Sequence, residues 1–139
     1  MGNAIDWQTD LTVALAHLDA AVFNPRRDDW DSTWRQEANH PEFHAQVTWE
    51  LNHLDACDVA AFRFDPAGPA PVTLLELGLY AASGKVLVCC PQGYWRRGNV
   101  EITCMRAGIT FTDDAEEFTA LTKARLEALV LPNSLRDIH

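Results

Sequence analysis

Three short apolar runs limit what this chain can fold into. Val59–Phe64, Lys85–Cys90 and Ile109–Thr112 are each of strand length and each is bounded by turn-forming or polar residues. KVLVCC (85–90) is apolar throughout after its lysine, the pattern of a strand covered on both faces. Helical periodicity fills the intervals between them. Apolar residues from Ala4 to Leu18 recur at helical spacing, and Pro41 suits the first turn of a second helix carrying Phe43, Val47, Leu51 and Leu54. A third helix is expected over Val72–Ser83, ended by Gly84, and a short fourth over Asn99–Ala107, ended by Gly108. Asp113 or Asp114 would cap a last helix with the stripe Ala115, Phe118, Leu121, Ala124, Ala128 and Leu131. Ala21-Val22-Phe23 is a further short apolar run, closed by Asn24-Pro25. Read as a strand, it gives the order α-β-α-β-α-β-α-β-α. Such alternation implies an α/β fold, a doubly wound parallel sheet with helices on both faces. Folds of this kind begin with a strand, whereas this chain starts directly in a helix.

The chain of 139 residues fits one domain, and 47% hydrophobic residues suffice for one core without disulfides or a structural metal. A formal charge of −9 argues against nucleic acid and against an anionic membrane surface as partners. No apolar run reaches the roughly 18–20 residues of a membrane-spanning helix, and MGNAIDWQTD has neither the basic nor the apolar region of a secretory leader. A cytoplasmic protein with reduced cysteines at 57, 89, 90 and 104 is therefore expected. No CxxC or HExxH spacing occurs. His40 and His44, four apart, are the closest approach to a ligand pair and read more simply as polar residues at a helix start. No metal or cofactor is expected.

In open parallel sheets ligands sit beyond the C-terminal ends of the strands. Here that means residues 24–40, 65–71, 91–98 and the start of the last helix. Glu76 stands in TLLELGLYA on a thin polar strip with Thr73, Tyr80 and Ser83. It reads either as a solvent-facing carboxylate or as a nucleophile or general acid/base beside the crevice. Glu50 falls on the apolar stripe of the second helix, where carboxylates are rare unless paired or functional. Two carboxylates at one crevice would suit glycosidic-bond chemistry. Asn24, Arg26, Arg27, Trp30 and Trp34 could hold a flat aromatic ligand, or simply pin a surface loop. Trp95, Arg96 and Asn99 lie where a loop enters a helix, a place suited to an oxygen-rich or anionic group, with a plain N-cap as the alternative for Asn99.

The ordered blocks DWQ (6–8), VFNPRRDDWD (22–31), QVTWEL (46–51), LDACDVAAFRFDP (54–66), PVTLLELG (71–78) and VCCPQGYWRRGNVE (88–101) resemble the nucleoside 2-deoxyribosyltransferase-like family. The resemblance implies a flavodoxin-like, five-stranded sheet and a homo-oligomer whose subunits complete one another's sites. It implies that Glu76 attacks C1′ of the deoxyribose and that Glu50 assists proton transfer at the base. It places Asn99 at the sugar end of a neighbour's substrate and Arg26, Arg27 and Trp30 near the base. With Asn24 and with Asp65, just past a strand end, these complete the expected substrate-binding set. Members of the family carry a strand and a Gly-Ser loop ahead of DWQ where this chain has Met1-Gly2-Asn3, so the sheet is expected to lack its first strand. Either Ala21–Phe23 then pairs directly with Val59–Phe64, or a segment outside the chain fills the gap. The stretch Ala67–Pro71 also lacks an acidic residue that well-studied members carry before the ELG glutamate. The expected function is cleavage of the N-glycosidic bond of a nucleoside or nucleotide, with transfer to another base or to water. The alternative is a non-catalytic nucleotide-binding or interaction domain that retains the fold.

Overall fold

The structure, a computed structural model, describes residues 6–25 and 33–136, with side chains through Leu129. Contacts divide the chain into two compact units, residues 23–58 and the remainder.

The larger unit holds the sheet. Strands β1 (Ala60–Arg63), β2 (Val86–Cys89) and β3 (Thr110–Thr112) run parallel in the order β1-β2-β3, with Phe62 opposite Val88 and Val88 opposite Phe111. The central strand is buried at every position, as KVLVCC requires. Because strand side chains alternate, the register sorts the core into two faces. Leu87 and Cys89 point to one face, where they pack with Phe118 and Leu121 of α5 (Ala115–Arg136) and Trp7 and Leu11 of α1 (Trp7–Ala14). The other face presents Phe62, Phe64, Val88 and Cys90, all buried. Leu77 and Tyr80 of α3 (Pro71–Tyr80) and Val100 and Cys104 of α4 (Arg97–Ala107) are the buried residues of their helices.

Local chemistry sets the helix ends. Asp6 accepts from the Thr9 amide at 3.2 Å and caps α1, and Asp114 accepts from the Glu116 amide at 2.8 Å ahead of α5. A 3₁₀ turn, Ala81–Ser83, follows α3 and ends at Gly84, whose φ of 78° places it in the left-handed region.

The sequence-based expectations fail in two places. Ala21–Phe23 forms no strand and pairs with nothing in the sheet; the three residues are exposed. The sheet among the described residues therefore has three strands, short of both the four expected from periodicity and the five implied by the resemblance. The first helix is also shorter than its apolar spacing suggests. It stops at Ala14, and the chain continues in i→i+3 bonds such as Leu18 N to Leu15 O.

The smaller unit is built on α2 (Pro41–Ala56), opened by Pro41 at its first position. Phe43, Val47, Leu51 and Leu54 are half-buried, and the fully buried side chain of the helix is Gln46. His53 stands between two rings, with Trp49 at 4.1 Å and Phe23 at 4.3 Å between centroids.

Candidate functional site

In the larger unit, the loops leaving the three strands meet at one edge of the sheet because the strands are parallel. The loop after β1 begins at Asp65, whose carboxylate accepts from the Ala67 amide at 2.9 Å and so folds the chain back on itself. This loop is anchored to the next one. Tyr94 donates its hydroxyl to the Pro69 carbonyl at 2.6 Å, and the Trp95 indole N–H donates to the same oxygen at 3.1 Å. Tyr94 is buried against Phe64, with ring centroids 4.8 Å apart, and burial raises its pKa, which keeps the proton on the donor. Arg96 lies over the Trp95 ring at 4.4 Å. The third loop joins through Asp113, which accepts from the Gln92 amide at 3.4 Å and lies 3.8 Å from the Arg97 guanidinium.

The anchored loop leads directly into α3 and Glu76. Ala70, just ahead of Pro71, has φ 45° and ψ 53°, left-handed backbone that disfavours a residue with a Cβ. Glu76 lies in the second turn of the helix and is half-buried, as is Thr73, while Tyr80 is buried. The side of α3 that faces solvent is apolar instead: Val72, Leu75 and Leu79 are exposed. Glu76 thus lies at the margin between the buried side of α3 and its exposed apolar stripe. Asn99 is exposed at the third position of α4; the N-cap there is Arg96, so capping does not explain Asn99. Arg97 reaches back from the first turn, donating through Nε to the Cys90 carbonyl at 3.3 Å and pairing with Glu101 at 2.8 Å.

In the smaller unit, a cleft of about 400 Å³ is lined by Asn24, Pro25, Ala45, Gln46 and Trp49. It combines two carboxamides with an indole, a lining suited to a flat, uncharged heteroaromatic ring. Gln46 also donates to the Glu50 carboxylate at 3.1 Å. Glu50 is half-buried, and that burial raises its pKa, with the Gln46 bond opposing the shift. A carboxyl held protonated to higher pH can deliver a proton. Arg26, Arg27 and Trp30 lie outside the described residues. His40 lies 3.2 Å from Glu42, and His44 has its Nδ1 3.0 Å from the Ala38 carbonyl. Among the described residues no three His, Cys, Asp or Glu side chains gather as a metal site would require. Nor is any described helix long and apolar enough to cross a membrane.

The family model for nucleoside 2-deoxyribosyltransferase-like proteins matches residues 1–94. The chain belongs to this family. The matched stretch contains Asn24, Glu50, Asp65 and Glu76, and it ends at Tyr94, five residues before Asn99. No curated protein matches the chain. Membership agrees with the parallel α/β architecture, and it associates the chain with deoxyribosyl-transfer-like chemistry on nucleosides.

The burial of Gln46 and the shared acceptor of Tyr94 and Trp95 escaped the sequence reading. Gln46 reads as a polar residue beside the stripe of α2, yet it is the buried member of the helix and links the cleft to Glu50. Tyr94 and Trp95 stand out as aromatics in a loop, but their shared acceptor, Pro69, is about 25 residues away. No local pattern announces it.

Proposed function

We propose that this protein breaks the N-glycosidic bond of a deoxynucleoside or its nucleotide through a covalent glycosyl-enzyme intermediate. In this reading a Glu76 carboxylate oxygen attacks C1′. The C1′–N bond breaks, its electron pair leaves with the base, and a proton reaches the base nitrogen. The ester is then opened by a second base, which is transfer, or by water, which is hydrolysis. The observation that carries the reading is the half-buried Glu76 in the second turn of α3, inside the matched stretch and beside the helix's exposed leucines rather than among them. Glu50 is assigned the proton, a role supported by the burial that raises its pKa. Asn24, with Arg26, Arg27 and Trp30, is assigned to the base, Asn99 to the sugar end of a neighbour's substrate, and Asp65 to substrate binding. The chain is further read as one subunit of a homo-oligomer, as the resemblance implies.

The test is product analysis of a deoxynucleoside incubated with the protein, with and without a free acceptor base. A new nucleoside marks transfer, and free sugar with free base marks hydrolysis. Glu76→Ala should abolish base release while leaving the far-ultraviolet circular dichroism unchanged. If wild-type protein binds a nucleoside but releases no base at stoichiometric concentration, the non-catalytic alternative replaces this reading.

A further inference from the structure

The cleft of the smaller unit has one polar side chain held in a fixed orientation. Gln46 lines the cleft, is only 7% exposed, and donates through Nε2 to Glu50 Oε1 at 3.1 Å. The opposite orientation would set the Gln46 carbonyl oxygen against a carboxyl oxygen that accepts. Protonation of Glu50 leaves the bond in place, because a protonated carboxyl keeps one oxygen that only accepts. With Oε1 engaged by Gln46, the proton falls to Oε2. The end of the carboxamide turned away from Glu50 is then its carbonyl, an acceptor with two lone pairs.

The rest of the lining is flat and largely apolar. Trp49 is 37% exposed, and its indole is braced by His53, whose ring lies 4.1 Å from it and 4.3 Å from Phe23 between centroids. Pro25 and Ala45 complete the lining beside Asn24. A volume of about 400 Å³ falls within the range of small-molecule sites and admits a one- or two-ring heterocycle. A ring stacked here meets Gln46 as an acceptor, and the Glu50 carboxyl behind it adds negative potential. That selects what the ring edge carries. The exocyclic amino group of adenine or cytosine donates, whereas the carbonyl that replaces it in hypoxanthine or uracil only accepts and sets oxygen against oxygen.

We infer that Gln46 makes this cleft selective for nucleobases that carry an exocyclic amino group. The inference rests on the proposed base site and adds which bases it takes. A site built to pair with a donor rejects the analogue that lacks it, because a buried acceptor is left unpaired. The amino base should therefore bind at least about tenfold tighter than its oxo counterpart.

The experiment is calorimetric titration of the full chain with two matched pairs of free bases, adenine against hypoxanthine and cytosine against uracil. In at least one pair the amino base should bind about tenfold tighter or more. Gln46→Met, close to glutamine in size but without its acceptor, should bring that ratio near one, with circular dichroism and thermal unfolding checking that it folds. A second measurement needs no variant: the amino base that binds should shift the side-chain amide signals of Gln46 in the nitrogen–proton spectrum of wild type. A smaller or reversed preference in both pairs overturns the inference, as does a preference that survives Gln46→Met, or Gln46 signals unshifted at saturation. Binding of none of the four bases at millimolar concentration overturns the inference and the base cleft together. Base release is measured apart. A chain that discriminates without cleaving keeps this inference and loses the glycosidic reading, and one that cleaves without discriminating does the reverse.

Discussion

Tyr94→Phe tests how the loop ahead of α3 is held. The substitution keeps the buried ring against Phe64 and removes one hydroxyl, which donates to the Pro69 carbonyl at 2.6 Å. Deleting a hydrogen-bond donor is most damaging when it strands a buried acceptor, at about 1–3 kcal/mol. Here the acceptor is not stranded, because Trp95 donates to the same oxygen at 3.1 Å and Pro69 itself is exposed. The loss should therefore be the net value of one hydrogen bond, about 1 kcal/mol. In a chain of this size that lowers the melting temperature by roughly 3–5 °C. Trp95→Phe, at an exposed donor, should cost about half as much. Because the two donors share one acceptor, each partly compensates for the other's loss. The double variant should then exceed the sum of the singles by roughly 0.5–1 kcal/mol. Urea unfolding followed by circular dichroism gives all four corners of this cycle, with an unchanged dependence on denaturant if the native state stays intact. A Tyr94→Phe variant within about 0.3 kcal/mol of wild type, or strictly additive singles, would refute the shared-acceptor account.

Other positions give independent checks. Ala70→Gly should raise stability by about 0.5–1 kcal/mol, since φ 45° penalises the alanine Cβ; thermal unfolding reads it, and a destabilised variant would deny the strain. Cys90 and Cys104 are buried, and burial pushes both thiols up to about 11 from an ordinary value near 9. A raised folded-state pKa stabilises below the unfolded value and is lost above it, so the melting temperature should fall between pH 9 and 11. Replacing both cysteines by alanine should flatten that fall, although the lost packing lowers stability throughout. Burial likewise raises the Glu50 pKa, so its ionised form opposes folding once the pH passes that value. Glu50→Gln keeps an acceptor for Gln46 and should be more stable than wild type at pH 7. That advantage should vanish below pH ~4, where the glutamate is protonated even in the unfolded chain.

Much of this fold was legible one element at a time. KVLVCC reads as a strand covered on both faces, Pro41 opens a helix at its first position, and Gly84 and Gly108 take the positive φ that ends two others. These signals are local, since each depends on a residue's own backbone freedom or on neighbours within a turn. The same holds for the ordered blocks that mark the family, which the match over residues 1–94 bears out as far as Tyr94. Ala21–Phe23 shows where local reading fails. A short apolar run has strand character only if an edge lies beside it to accept its hydrogen bonds, and sequence adjacency does not supply that edge. Which side of α3 meets the core was likewise undecided in LLELGL, where leucines point in every direction. The tertiary structure turned Leu77 and Tyr80 inward, left Leu75 and Leu79 in solvent, and half-buried Glu76. The joint hold of Tyr94 and Trp95 on Pro69 belongs to the same class. Local backbone preference travels with the sequence, whereas burial and hydrogen-bond partners exist only once distant segments have been brought together.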